Sequence, residues 1–189
     1  MKLILASNSP RRKELLIKSG FDFEIIGSDF EENVFCDNPT EIAVQFAYGK
    51  AKDVYLKVKD NQNVVVLGAD TVVFLDGEIL GKPHNEAHAV EMLKRLSGKV
   101  HQVVTGYCVY TGNKVEKGFV STDVEFNNLD DKVIASYVNS GLYKGKAGAY
   151  GIQDNFPLVK EYKGSLSNVI GLPIETVVPI LKSFLENKK

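Results

Sequence analysis

The chain has 189 residues, 44% of them apolar and 25% charged, which is ordinary for a soluble globular protein with one sizeable core or two small lobes. The formal net charge of −1 excludes a global field for nucleic acid or an anionic membrane, so any basic site must be local. No apolar run approaches transmembrane length, and Cys36 and Cys108 stand apart with no CxxC pair, which predicts a reduced protein of the cytoplasm.

Residues 3–6, Leu-Ile-Leu-Ala, read as a buried strand, followed by a tight polar turn and a helix through Leu15 and Leu16. Pro10 suits the first helical position and Ser9 the cap before it. Arg11 and Arg12 then fall in the first helical turn, where their charge opposes the positive end of the helix dipole. A bound anion reverses that conflict, because backbone N–H groups, hydroxyls and two guanidinium forks would surround it. Arg11 lies four residues before Leu15 and Arg12 four before Leu16, so both extend the apolar face of the helix. That spacing favours a phosphate site over a solvated basic turn.

Residues 21–26 alternate like a strand, and an acidic stretch follows over 28–33. Asn38, Pro39 and Glu41 open a helix that runs to about Lys57, with Glu41 closing a capping box. Residues 64–69 form a continuous apolar run, a central strand that ends at Asp70-Thr71. The run resumes over 72–75 and leads to a hairpin turn at Asp76-Gly77. Gly81-Lys82-Pro83 is a loop, and residues 85–96 form a helix stopped by Gly98. Residues 100–110 and 115–126 read as a long hairpin joined through 111–114. A helix over 130–139, a glycine-rich loop over 141–156, a strand around 158–162 and a last helix after Gly171-Leu172-Pro173 complete the chain. Pro179 is expected to kink that helix or delay its start. The mixture predicts an α/β fold with a mixed sheet.

Several side chains stand out for chemistry. Asp70 follows a strand apolar enough to be buried on both faces, although a turn aspartate looks the same in sequence. Glu31 and Glu32 lie in a loop after an earlier strand, where a solvated acidic run is the plain alternative. One carboxylate from each place would together suit Mg²⁺, which takes few carboxylates plus waters and phosphate oxygens. Lys50 falls within the apolar stripe of its helix, so it either snorkels to water or enters a cleft to meet an anion. Lys82 has little local freedom between Gly81 and Pro83. Gln153 sits in a loop where its amide either serves the loop itself or reads a base edge. His84 and His88 have zinc-ligand spacing but no third ligand in view, and a surface pair is the simpler reading.

Taken in order, these segments resemble one family over essentially the whole chain. They are Ser7-Asn8-Ser9-Pro10-Arg11-Arg12, Glu32, Lys50-Ala51, Gly68-Ala69-Asp70-Thr71, Gly81-Lys82-Pro83, Leu96-Ser97-Gly98 with His101, Lys146-Ala147-Gly148-Ala149-Tyr150-Gly151-Ile152-Gln153, and Gly164-Ser165 with Asn168-Val169-Ile170-Gly171-Leu172-Pro173. The resemblance is to the Maf family of nucleoside triphosphate pyrophosphatases. It implies a single domain over 1–189, with a mixed, strongly twisted sheet flanked by helices in an ITPase-like, two-lobed architecture around a central cleft. It implies that Ser7, Arg11 and Arg12 line a triphosphate and base pocket. Glu32 and Asp70 would serve a divalent metal, Mg²⁺ or Mn²⁺, with Asp70 as proton acceptor, and Lys50 and Lys82 would neutralise phosphate charge. Arg12, Thr71 and Gln153 match the branch acting on dTTP and UTP. The alternatives are the sister branch acting on 7-methyl-GTP and a nucleotide-binding regulator of septum formation. A nucleoside triphosphate is the implied partner and a homodimer the family-level state. Gly141-Leu142-Tyr143 and Gly145 depart from the family pattern, which has carboxylates in that loop, so no carboxylate there is assigned a role.

Overall fold

The computed structural model describes residues 1–33, 36–59 and 63–186. Its elements, in chain order, are β1 (Lys2–Leu5), α1 (Pro10–Lys18), β2 (Phe23–Ile25), α2 (Pro39–Val58), β3 (Val64–Leu75), β4 (Glu78–Leu80), α3 (Glu86–Leu96), β5 (Val100–Tyr110), β6 (Val115–Phe126), α4 (Asp131–Asn139), a 3₁₀ turn (Ala147–Ala149), β7 (Val159–Lys163), α5 (Leu166–Ile170) and α6 (Ile174–Glu186). The strands form one mixed sheet in the order β2-β1-β3-β5-β6-β7, with β4 also paired to β3. β1 runs parallel to β2 and β3, and every other pairing is antiparallel. No helix among the described residues is long and apolar enough to cross a membrane. Both cysteines are free, and burial pushes the Cys108 thiol up to about 12.

The period of two along β1 and β3 sorts their side chains between the faces of the sheet. Leu3, Leu5, Val65, Leu67 and Ala69 pack with Leu15 and Leu16 of α1 and with Val177, Leu181 and Phe184 of α6. Ile4, Ala6, Val64 and Val66 pack on the other face against Ala47, Ala51 and Val54 of α2. Further along β3, Val73 and Leu75 enter a third cluster with α3, α4 and the far ends of β5 and β6. β3 therefore passes from one core into another, and Asp70-Thr71 lies at the crossing.

Two glycines set how closely α2 lies on the sheet. A Cβ on Gly68 would stand 2.2 Å from the Ala47 carbonyl oxygen, and one on Gly106 would stand 2.1 Å from that of Ala43. The helix backbone fills the space that side chains would need.

Several local expectations change. β3 is unbroken through Leu75, so Asp70 lies in mid-strand and not at a strand's end. The strand that ends here is β1: it pairs with β3 only as far as Leu67, and β4 joins the same edge from Val73. The notch between them opens beside Asp70. Ser9 occupies the cap position of α1 but makes no side-chain cap bond; Ser7 Oγ instead accepts from the Ser9 N–H at 3.2 Å. Asn38 caps α2 as expected, while Glu41 accepts from the Asn38 side-chain amide at 3.1 Å and not from its backbone. α6 starts directly after Pro173 and runs through Pro179 without the expected delay. The short helix α5 was not anticipated.

Candidate active site

The notch leads into a cavity of about 470 Å³. Nine residues singled out in the sequence line it: Ser7, Arg11, Arg12, Glu32, Lys50, Asp70, Thr71, Lys82 and Gln153; Glu31, His84 and His88 are not among its lining residues. They come from α1 and the turn before it, the acidic loop, α2, β3 and two further loops. Lys144 and Lys146 also line it, which sets six basic side chains against two carboxylates. In a chain of net charge −1, that concentration suits a polyanion of small size.

The parity of β3 divides the chemistry. Asp70 shares the face of Gly68, under α2, and the close approach of that helix brings Lys50 onto it. Lys50 Nζ lies 2.6 Å from Asp70 Oδ1 and 2.6 Å from Glu32 Oε1. The lysine does not snorkel: its side chain is 11% exposed and Asp70's is 9%, while Glu32's is 38% exposed. The two carboxylates respond differently to the shared ammonium. Burial pushes the Asp70 carboxyl above its usual range despite the nearby Lys50 and Arg12 charges. Burial also works against ionised Glu32, but the hydrogen bond and charge of Lys50, with Lys82 and Arg12 behind it, hold its carboxyl below the usual range.

Thr71 faces the opposite way, toward α1 and α5. Arg12 is buried and fully oriented: Nε donates to the Gly171 carbonyl at 2.7 Å, one terminal nitrogen to Ser7 Oγ at 3.1 Å and the other to Thr71 Oγ1 at 3.0 Å. A guanidinium has five N–H groups, so two remain for a ligand. Ser7 Oγ accepts from both Arg12 and the Ser9 backbone and keeps its own proton to donate. Arg11 reaches across the cavity mouth to the Gly145 carbonyl at 3.2 Å. Gly145 thus serves through its backbone at a position where the family pattern has a carboxylate. The Gly148 N–H donates to the Gly81 carbonyl at 3.0 Å and ties the lysine-bearing loop to the glycine-rich one.

Other residues carry parts of the site whose roles the sequence did not reveal. Lys146 pairs with Asp154, and Tyr137 donates to the same carboxylate at 2.6 Å while accepting from the Gly151 N–H at 3.0 Å. This cluster holds the turn that presents Gln153. His101 Nε2 lies 2.7 Å from the hydroxyl of Tyr150, another cavity residue, and burial lowers the imidazole to about 4. Thr105 and Asn168, both fully buried, join α5 to the sheet behind Thr71. None of these has a signature in spacing alone; they are polar residues whose partners lie from 8 to 63 residues away in the chain.

Lys50 also reports on cation binding. Its ammonium shows that Glu32 and Asp70 converge on one point that favours positive charge. Among the described residues no group of three or more His, Cys, Asp or Glu side chains gathers as a metal cluster, and His84 and His88 have no third partner. Two carboxylate oxygen donors beside a cavity rich in basic side chains fit the chemistry of a hard divalent ion that keeps waters and takes phosphate oxygens.

Known proteins are similar to this chain in fold and in sequence. The Ham1 protein of Staphylococcus aureus superposes over 100% of both chains with a TM-score of 0.53 at 17% identity. A protein of Thermococcus gammatolerans named dTTP/UTP pyrophosphatase is 46% identical over 93% of this chain and 92% of its own. Proteins of the same name from Ruminiclostridium cellulolyticum and Clostridium tetani are 46% and 41% identical, over 97% and 96% of this chain and 96% and 97% of their own. The family model described as Maf-like protein matches residues 2–184, which takes in every side chain of the cavity. With the site assembled and the match spanning it from end to end, the chain belongs to the Maf family.

Proposed function

We propose that the protein is a nucleoside triphosphate pyrophosphatase that hydrolyses dTTP and UTP to the monophosphate and pyrophosphate. The observation that carries this reading is the placement of Asp70, Glu32 and Lys50 on one wall of a cavity otherwise rich in basic side chains. The names of the relatives support the pyrimidine choice.

The reaction attacks the α-phosphorus with water, breaks the α–β anhydride bond and releases pyrophosphate. Asp70 orients the water and takes its proton. Arg11, Lys82 and Lys50 offset the negative charge that repels the nucleophile and that shifts to the leaving group. Arg11 and Lys82 stand at the cavity with positive charge already in place, so little reorganisation accompanies the reaction. Glu32 and Asp70 are the residues that would hold a Mg²⁺ or Mn²⁺ ion, whose chemistry is to polarise phosphate oxygens and stabilise charge on them. Lys50 would then exchange its carboxylate partners for phosphate.

At the base end, Gln153 offers a donor and an acceptor and Arg12 a planar fork. Uracil and thymine present two carbonyls flanking an N–H, and the thymine methyl lies away from that edge. Cytosine mismatches the pattern and leaves buried groups unpaired, which discriminates strongly. The test is pyrophosphate release from a panel of nucleoside triphosphates, with Mg²⁺ and with a chelator. The expected result is metal-dependent pyrophosphate from dTTP and UTP, ahead of CTP, ATP and GTP. Orthophosphate as the first product overturns α–β cleavage, and a purine preference overturns the pyrimidine reading.

A further inference from the structure

Behind Thr71, a chain of hydrogen bonds fixes the direction of one hydroxyl proton. Thr71 and Thr105 are partners across β3 and β5, with their Oγ1 atoms 2.8 Å apart. That distance alone leaves the donor open, but the neighbours decide it. Thr105 Oγ1 also lies 2.9 Å from the Asn168 carbonyl oxygen, which can only accept. A hydroxyl has one proton, so Thr105 donates to Asn168 and accepts from Thr71. Arg12 donates to Thr71 Oγ1 at 3.0 Å. The Thr71 proton therefore points inward and one lone pair is taken by Arg12. What Thr71 offers the cavity is its other lone pair.

The arrangement is held firmly. Thr105 and Asn168 are both 0% exposed. Asn168 Oδ1 accepts from the Thr105 N–H at 3.1 Å, while Nδ2 donates to the Val103 carbonyl and to Thr122 Oγ1, each at 2.9 Å. Those contacts fix the amide's orientation and the place of α5. Turning the Thr105 proton toward Thr71 would take a hydrogen bond from a buried carbonyl, which is costly.

We propose that Thr105, held by Asn168, is a positioning residue for base selection. It makes Thr71 an acceptor set beside the donors of Arg12. A pocket of that polarity accepts the ring N–H of uracil or thymine with its adjacent carbonyl. It rejects cytosine, whose ring nitrogen at that place carries a lone pair. The proposal rests on the pyrimidine reading above.

The test is the ratio of kcat/KM for UTP over CTP in Thr105→Val, Thr105→Ser and the unmodified protein. Valine suits a strand and removes the hydroxyl, so the Thr71 proton is released toward the cavity and can be donated to cytosine. The ratio is expected to fall by about tenfold or more in Thr105→Val and to be kept in Thr105→Ser. Lost folding or lost catalytic power affects both substrates alike and cancels in the ratio. If Thr105→Val does not fold, Thr71→Val removes the acceptor itself, and the same fall is expected. An unmodified protein that turns over UTP and CTP alike overturns the pyrimidine reading and the proposal with it. A preference for UTP that survives Thr105→Val, or Thr71→Val in its place, overturns the proposal alone.

Discussion

Two lysines of this molecule are buried against aspartates, and they do opposite things. Lys146 and Asp154 have side chains 9% and 6% exposed, and Lys50 and Asp70 are 11% and 9% exposed. Around Asp154 the charges close on themselves: one lysine meets one carboxylate, and Tyr137 and the Gly151 N–H complete the network. Around Lys50 one ammonium is shared between Asp70 and Glu32, and the positive charges of Arg12 and Lys82 act on these carboxylates as well. A pair closed on itself holds a loop in place, whereas a shared ammonium leaves two carboxylates at the cavity wall. The lesson is that burial and pairing with a lysine are common to both aspartates, and what separates them is that Asp70 lines the cavity and Asp154 does not.

Four experiments test that contrast. The largest expected effect is on Asp70→Asn, which keeps shape and removes basicity. We predict a loss of about two to four orders of magnitude in kcat, the range of general-base catalysis. The melting temperature should stay level or rise. The sign follows from linkage: a carboxyl whose pKa is raised by folding is less stable ionised in the folded chain than in the unfolded one, so neutralising it removes a cost. Near-normal turnover in this variant removes Asp70 from the mechanism.

Asp154→Asn should behave the other way round. Leaving Lys146 buried without its counter-charge is expected to cost about 3 kcal/mol of stability, read by denaturant titration. Residual activity per folded molecule should far exceed that of Asp70→Asn. If the two variants lose stability and activity in the same proportions, the division between a closed and an open pair fails.

Lys82→Met addresses a lysine that lines the cavity from an exposed loop. Turnover should fall by at least about tenfold through lost charge stabilisation. Stability should change by no more than roughly 0.5 kcal/mol, as at other exposed positions. A collapse in melting temperature with normal activity per folded molecule assigns Lys82 to the architecture.

The smallest effect concerns pH. His101 is buried beside Tyr150, and its pKa falls from 6.5 to about 4 on folding. The unfolded chain therefore takes up the proton first as pH drops. His101 should contribute stability that is present above pH 6.5 and lost progressively down to pH 4. His101→Gln should flatten the melting-temperature profile in that window while changing little at pH 7. Parallel profiles for the two proteins rule His101 out as a source of the acid sensitivity.

Most of the elements, and the cavity residues Ser7, Arg11, Arg12, Glu32, Lys50, Asp70 and Lys82, were legible in local signals of the sequence, whereas Thr71 and Gln153 took their roles from the family resemblance. Proline and asparagine caps, the Asp76-Gly77 turn and the period of two along β3 act between near neighbours, and Asp76 and Gly77 indeed take φ of 52° and 87°. Arg12 and Lys50 betrayed themselves by standing on apolar helix faces. The tertiary structure alone decided what these residues touch. Asp70 looked like the end of a strand because the apolar run stops there, yet β3 continues and it is β1 that ends. Thr105, Asp154 and Tyr137 were silent, and Asn168 showed only as part of a family segment, because a buried polar residue is defined by its partner. The polarity of Thr71 is the extreme case. Its hydroxyl has one proton, and where that proton points depends on a carbonyl 97 residues further along the chain.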